Sequence, residues 1–241
     1  MLSLIKADMH RVLRKKSFLL TLVFLPVILF LQTAIHSEDP VEEFITGVQG
    51  RMNGLIMLII TLVIYLAVFA DDHRSRSIVT VIGRGLSRRK VFAAKLIDCL
   101  LCSALLFVFA MALQTVFADL MSVPLSSRQI FLLRVYVIVL IARSVGCLSF
   151  SMLAQYLTDS TAMGVITDVI AALILANVLN LARTLLEIDF YSYSMSGLLE
   201  AAYNNFAVGR LPWQILPAVL VYIAAPVLAA AAVNQKKEMD L

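Results

Sequence analysis

Residues 53–70 read NGLIMLIITLVIYLAVFA. The stretch carries no charge and runs apolar without alternation. The segment that follows, Asp71 to Lys95, carries Arg74, Arg76, Arg84, Arg88, Arg89, Lys90 and Lys95. A continuous apolar run that ends abruptly in basic residues is the pattern of a helix leaving a bilayer on its cytoplasmic side. About 20 mainly apolar residues cross about 30 Å of hydrocarbon at roughly 1.5 Å per residue. Working outward, six stretches meet that requirement: about 17–35, 53–70, 91–118, 130–153, 162–181 and 211–233. Pro26 is an expected kink in the first, and Pro217 and Pro226 lie inside the last. Continuous runs argue against barrel strands, which are shorter and alternate. The first run is too long for a signal peptide, and no small-residue cleavage pattern follows it. The expected fold is an all-α membrane protein, a single transmembrane domain over residues 1–241.

Composition agrees. Of 241 residues, 61% are hydrophobic and 15% charged, and mean hydropathy is +0.92. A soluble domain carries roughly 25% charged residues and has too little interior for this much apolar side chain. A soluble enzyme, a nucleic-acid-binding domain and a disordered chain are therefore set aside. The net charge of +4 follows from topology. Fourteen of the twenty Lys and Arg residues fall before the first span, in the segment from Asp71 to Lys95, or after the sixth. The opposite segments hold Arg51, Arg128, Arg183 and Arg210, while the first of them carries Glu38, Asp39, Glu42 and Glu43. This bias puts both termini and the 71–90 loop in the cytoplasm, and an even number of spans requires the termini to share a side.

Cys99 and Cys102 form a C-x-x-C inside a span, where no second ligand pair is available, so they read as small packing residues, as does Cys147. His10, His36 and His73 form no ligand pattern. No metal site and no catalytic cluster is expected. There is no G-x-x-x-x-G-K-[ST], and Gly83-Arg84-Gly85 is not a phosphate loop. Any ATP-dependent function would need a separate subunit.

Residues 2–16, LSLIKADMHRVLRKK, place Leu2, Ile5, Met9, Val12 and Leu13 on one helical face with Lys6, Arg11, Arg14 and Lys15 around it. This is an interfacial amphipathic helix that anchors the chain to headgroups, and it is compatible with an elbow lying against the bundle. In the basic loop, Ile78, Val79, Val81 and Ile82 form a short apolar patch. Gly83 and Gly85 break it, and Ser87 is placed to cap the helix that becomes the third span. A short helix on a glycine hinge, with apolar anchors and basic surroundings, suits docking of a partner.

The block FADDHRSRSIVTVIGRGLSRRKVFAAKLI, residues 69–97, resembles the cytoplasmic loop of type-2 ABC transporter permeases. An acidic pair (Asp71, Asp72), a coupling helix (Ile78, Val79, Ile82), a G-x-S-R turn (Gly85, Ser87, Arg88) and Lys95 correspond to that family's pattern. The elbow, six spans, cytoplasmic termini and long external segment before the last span extend the resemblance over the chain. It implies a permease subunit in the plasma (inner) membrane, paired as a homodimer or with a second permease. Two copies of a separate ATPase would bind ATP and Mg, and no cofactor is expected in this chain. The small external segments look most like the drug and antimicrobial-peptide export or immunity branch.

Asp98, Arg134, Arg143 and Asp168 lie inside spans, at about 2.5–3.5 kcal/mol each on insertion scales. Arg134 can snorkel to the outer interface. Arg143 and Asp168 sit at depths of roughly 18 and 9 Å from the cytoplasmic side. They suit a structural ion pair, a translocation path, or, together with Asp98, a proton relay. Residues 183–210 are too polar to span, and read as an interfacial loop or a re-entrant hairpin. Against the permease reading stand a proton-coupled carrier or membrane sensor using Asp98 and Asp168, and a membrane enzyme, for which no motif exists.

Overall fold

A computed structural model of the protein describes residues 2–70, 87–187 and 189–236. Among these residues all regular structure is helical. Six helical stretches are long and apolar enough to cross a membrane: Lys16–His36, Val41–Phe69, Lys90–Leu120, Ser127–Thr158, Thr161–Leu186 and Leu216–Asn234. They are numbered one to six below. The N-terminal helix Leu2–Leu13 precedes span one, and a helix Met195–Ala207, here the return helix, separates spans five and six. The face holding residues 16, 69 and 90 is called the basic face and the other the distal face.

Every span boundary but the start of span two falls within five residues of expectation, and the start of span six moves by five. Span two begins at Val41, not near Asn53. Glu42, Glu43 and Gln49 give this stretch a polar look in sequence. Yet Pro40 sets an extended residue before the helix, the two acids lie in its first turn, and Phe44 and Val48 bury one face. The added helix joins the apolar run through a π-helical turn, Met52–Ile56, kinked at Gly54 (φ −94°, ψ −111°). Span six begins at Leu216, so Pro217 sits in its first turn, where a missing N–H costs nothing, and Pro226 alone is internal.

Spans two, three and four form the centre, and span four touches three, five and six. Span two is 56% buried over its most apolar window and spans five and six 17% each. Lipid is as apolar as leucine, so close approach and polar contacts hold such a bundle together. A Cβ on Gly164 would lie 1.8 Å from the Tyr65 hydroxyl, and one on Gly146 2.2 Å from Met195 Sδ. Only glycine lets those side chains in. Span one is tied to span three by Gln114 Nε2, which donates to Thr33 Oγ1 at 2.9 Å.

Contacts of the return helix step along span four. Met195 meets Gly146, the Tyr203 ring meets Tyr136 edge-on with centroids 4.9 Å apart, and Phe206 tilts against Phe131. Arg128 Nη2 donates to Ala207 O at 3.0 Å. Gly146 lies roughly 28 Å along the helix from the distal start of span four at about 1.5 Å per residue. The 183–210 segment therefore returns deep along the bundle before leaving it. Ser194 caps the return helix by accepting from Gly197 N–H.

Candidate functional site

Two polar regions stand out, one at each face. At the basic face, Asp71, Asp72, Ile78, Val79, Ile82 and Gly85 lie outside the described residues, so the coupling helix expected there has no structural account. The helix of span three starts at Arg88, and Ser87 has the extended backbone of a cap, but its side chain makes no capping bond. Lys95 turns inward: it is 3% exposed, and its Nζ bonds Asp8 Oδ2 of the N-terminal helix at 2.7 Å. Asp8 also pairs with Arg11 at 3.3 Å. Asp98, one turn further along, is fully buried beside Asp8 and Lys95. Lys15 donates to Ala67 O. That carbonyl lies in a second π-helical turn, Leu66–Ala70, at the end of span two. The N-terminal helix is thus fastened to the first turns of span three, and the link between it and span one to the last turn of span two.

The charged residues deeper in the bundle separate. An ion pair between Arg143 and Asp168, one of the roles their sequence positions leave open, is not formed. Arg143 donates from Nη1 to Asn53 O at 2.9 Å and from Nη2 to Ala172 O at 3.0 Å. Both carbonyls belong to π-helical turns, Met52–Ile56 of span two and Ile170–Ile174 of span five. A π turn displaces the regular i→i−4 bonds and leaves carbonyls free to accept from outside the helix. Those acceptors, which no side-chain pattern reveals, hold the guanidinium where a carboxylate could have. Asp168, fully buried, accepts from Thr61 Oγ1 at 2.9 Å and Ser151 Oγ at 3.2 Å. It staples spans two, four and five. Arg134 is exposed on span four.

Arg143 forms the floor of a polar cleft of about 320 Å³ at the distal side. Spans two, four and five and the return helix enclose it. Gln49, Asn53, Asn177, Asn180 and Asn204 line it with amides. Tyr203 accepts from Gln49 Nε2 at 3.1 Å, and Tyr191 donates to Glu200 Oε2 at 2.8 Å. Burial first, and then the bond to Glu200, push the Tyr191 hydroxyl up to about 12, so it stays a donor. The outer half of span five, Leu175–Leu186, has no buried residue. It faces the cleft with Asn177 and Asn180 while Val178, Leu181 and Leu185 are exposed on the outside.

Sequence reasoning found Arg143 and Asp168 but missed the cleft. One signal was available: Asn177 and Asn180 at helical spacing in an otherwise apolar span. Gln49, Tyr191, Glu200 and Tyr203 carried no such signal, because they are assembled from segments read as loop.

Cys99, Cys102 and Cys147 are buried free thiols, and no cluster of metal-ligating residues occurs among the described residues. No family model and no curated protein matches the chain.

Proposed function

We propose that this multi-pass membrane protein is the permease subunit of an ABC transporter, working as a homodimer or with a second permease. In this reading the basic face is cytoplasmic and the membrane is the plasma membrane. Two separate ATPase subunits hold ATP and Mg and dock on residues 71–90. The cargo class is a peptide, drug or lipid-like molecule, and the chain itself performs no chemical step.

The observation that best supports this reading is the fastening of the N-terminal helix and the link after it to both sides of the 71–86 segment, Asp8 of the helix to Lys95 and Lys15 of the link to Ala67. A push on that segment by a partner would move the ends of spans two and three and the N-terminal helix as one body. A largely buried ion pair such as Asp8–Lys95 resists such a pull better than an exposed pair does. The N-terminal helix then serves as the elbow. The return helix, which runs deep along span four, serves as a re-entrant element near the outer exit.

The test is co-purification with an ATP-binding subunit encoded beside this chain. Deleting residues 75–90 is expected to abolish it. The variant Lys95→Met should keep the ATPase bound but lower transport per ATP hydrolysed. Transport that continues without ATP hydrolysis would favour a proton-coupled carrier using Asp98 and Asp168.

A further inference from the structure

The floor of the distal cleft holds a charge that the protein leaves unfinished. Arg143 is 4% exposed, so its guanidinium is out of bulk water. Its two bonds go to neutral carbonyls. Its Nε is buried with no partner, and so is Oδ1 of Asn53 beside it. Among the described residues no carboxylate lies within 4.0 Å of it. A buried cation with spare donors in low dielectric is costly unless something anionic joins it.

The cleft restricts what that is. Among the described residues Arg143 is the one cation lining it, and the one other charged lining residue is Glu200, exposed and bonded by Tyr191. A dianionic phosphate monoester would find a single positive charge below and a carboxylate facing it. A monoanion suits better. A guanidinium is a planar fork of donors, more than two carbonyls can use, and its geometry matches the two oxygens of a carboxylate. The amides of Gln49, Asn177, Asn180 and Asn204 offer donors and acceptors to a body that itself hydrogen-bonds, and Glu200 suits a donor at the far end. The volume, about 320 Å³, lies at the small end of ligand sites.

We propose that this cleft binds a small organic carboxylate of amino-acid or short-peptide character, with its carboxylate on the guanidinium of Arg143. The site is carried by the cleft alone and does not depend on ATP-driven transport.

The test is equilibrium dialysis of the purified full-length chain in detergent against radiolabelled N-acetyl-alanyl-alanine, as the free acid and as the C-terminal amide. Saturable binding of the acid, with the amide at least about tenfold weaker, is expected. The variant Arg143→Gln should abolish it. Because Arg143 also holds two backbone carbonyls, a second variant is needed. Gly50 lines the cleft, and a Cβ built there meets nothing within 4 Å. Gly50→Leu should therefore fill the cleft, leave the unfolding temperature unchanged and reduce binding at least about tenfold. Equal binding of acid and amide, unchanged binding by Gly50→Leu, or no saturable binding of the acid would overturn the proposal. So would binding of inorganic phosphate or phosphatidylglycerol micelles in place of the acid, if lost in Gly50→Leu.

Discussion

Asp168 and Arg143 face the same membrane cost and are handled in opposite ways. The region around Asp168 is closed. Two hydroxyls from neighbouring spans reach its two oxygens, and the side chain is fully buried. The region around Arg143 is open. Two carbonyls released by π-helical turns accept from it, its Nε is left over, and a polar cleft lies above. An acceptor-only carboxylate can be satisfied by two small side chains, whereas a guanidinium has more donors than two carbonyls can take. A closed charge fastens helices together, and an open one has donors left for something else.

The largest effect that tests this contrast is Arg143→Leu. It strands Asn53 O and Ala172 O, each at about 1–3 kcal/mol. Unfolding of the purified protein in detergent should show a loss of several kcal/mol. Gly164→Ala tests how rigid the closed region is. Its new methyl group collides with Tyr65, whose hydroxyl donates to Gln155 Oε1 at 2.7 Å, and the expected loss is about 1–3 kcal/mol in the same assay. Asp168→Leu should cost less, about 1–2 kcal/mol. Thr61 and Ser151 keep carbonyls of their own helices, Leu58 O at 3.3 Å and Cys147 O at 3.0 Å, so neither hydroxyl is orphaned. The double variant Arg143→Leu with Asp168→Leu should be additive within about 0.5 kcal/mol, since the two share no partner. A coupling well above that would mean that the two charges act as one pair and would erase the contrast.

The smallest effect is a pH dependence confined to the cleft. Tyr191 is raised from 10.0 to about 12, so its contribution is complete below 10 and is lost as pH rises through about 12. Across that interval the folded protein and its Tyr191→Phe variant should show the same number of ionised tyrosines by absorbance. One tyrosinate more in the unsubstituted protein would mean that the Tyr191–Glu200 wall is not formed.

Much of the fold was legible because hydropathy is read locally. Six apolar runs correspond to six helices long enough to cross a membrane, and the amphipathic pattern of residues 2–13 corresponds to a helix. The start of span two was not, since Glu42, Glu43 and Gln49 look like a loop until Phe44 and Val48 find a core. Arg143 and Asp168 were legible as costly charges, but the partners of Arg143 were not. Those partners are backbone carbonyls exposed by changes of helix type, and no side-chain pattern announces them.

By itself the sequence determined that this chain belongs in a membrane and how many helices can cross it, because transfer of each apolar run into hydrocarbon depends on that run alone. Its basic residues gave the side bias that orients the proposed topology. Only the tertiary structure decided which charges are finished and which are not. Hydrogen-bond satisfaction depends on groups far apart in the chain: Arg143 lies ninety residues from Asn53 and Asp168 lies 107 from Thr61, and these are brought together by packing.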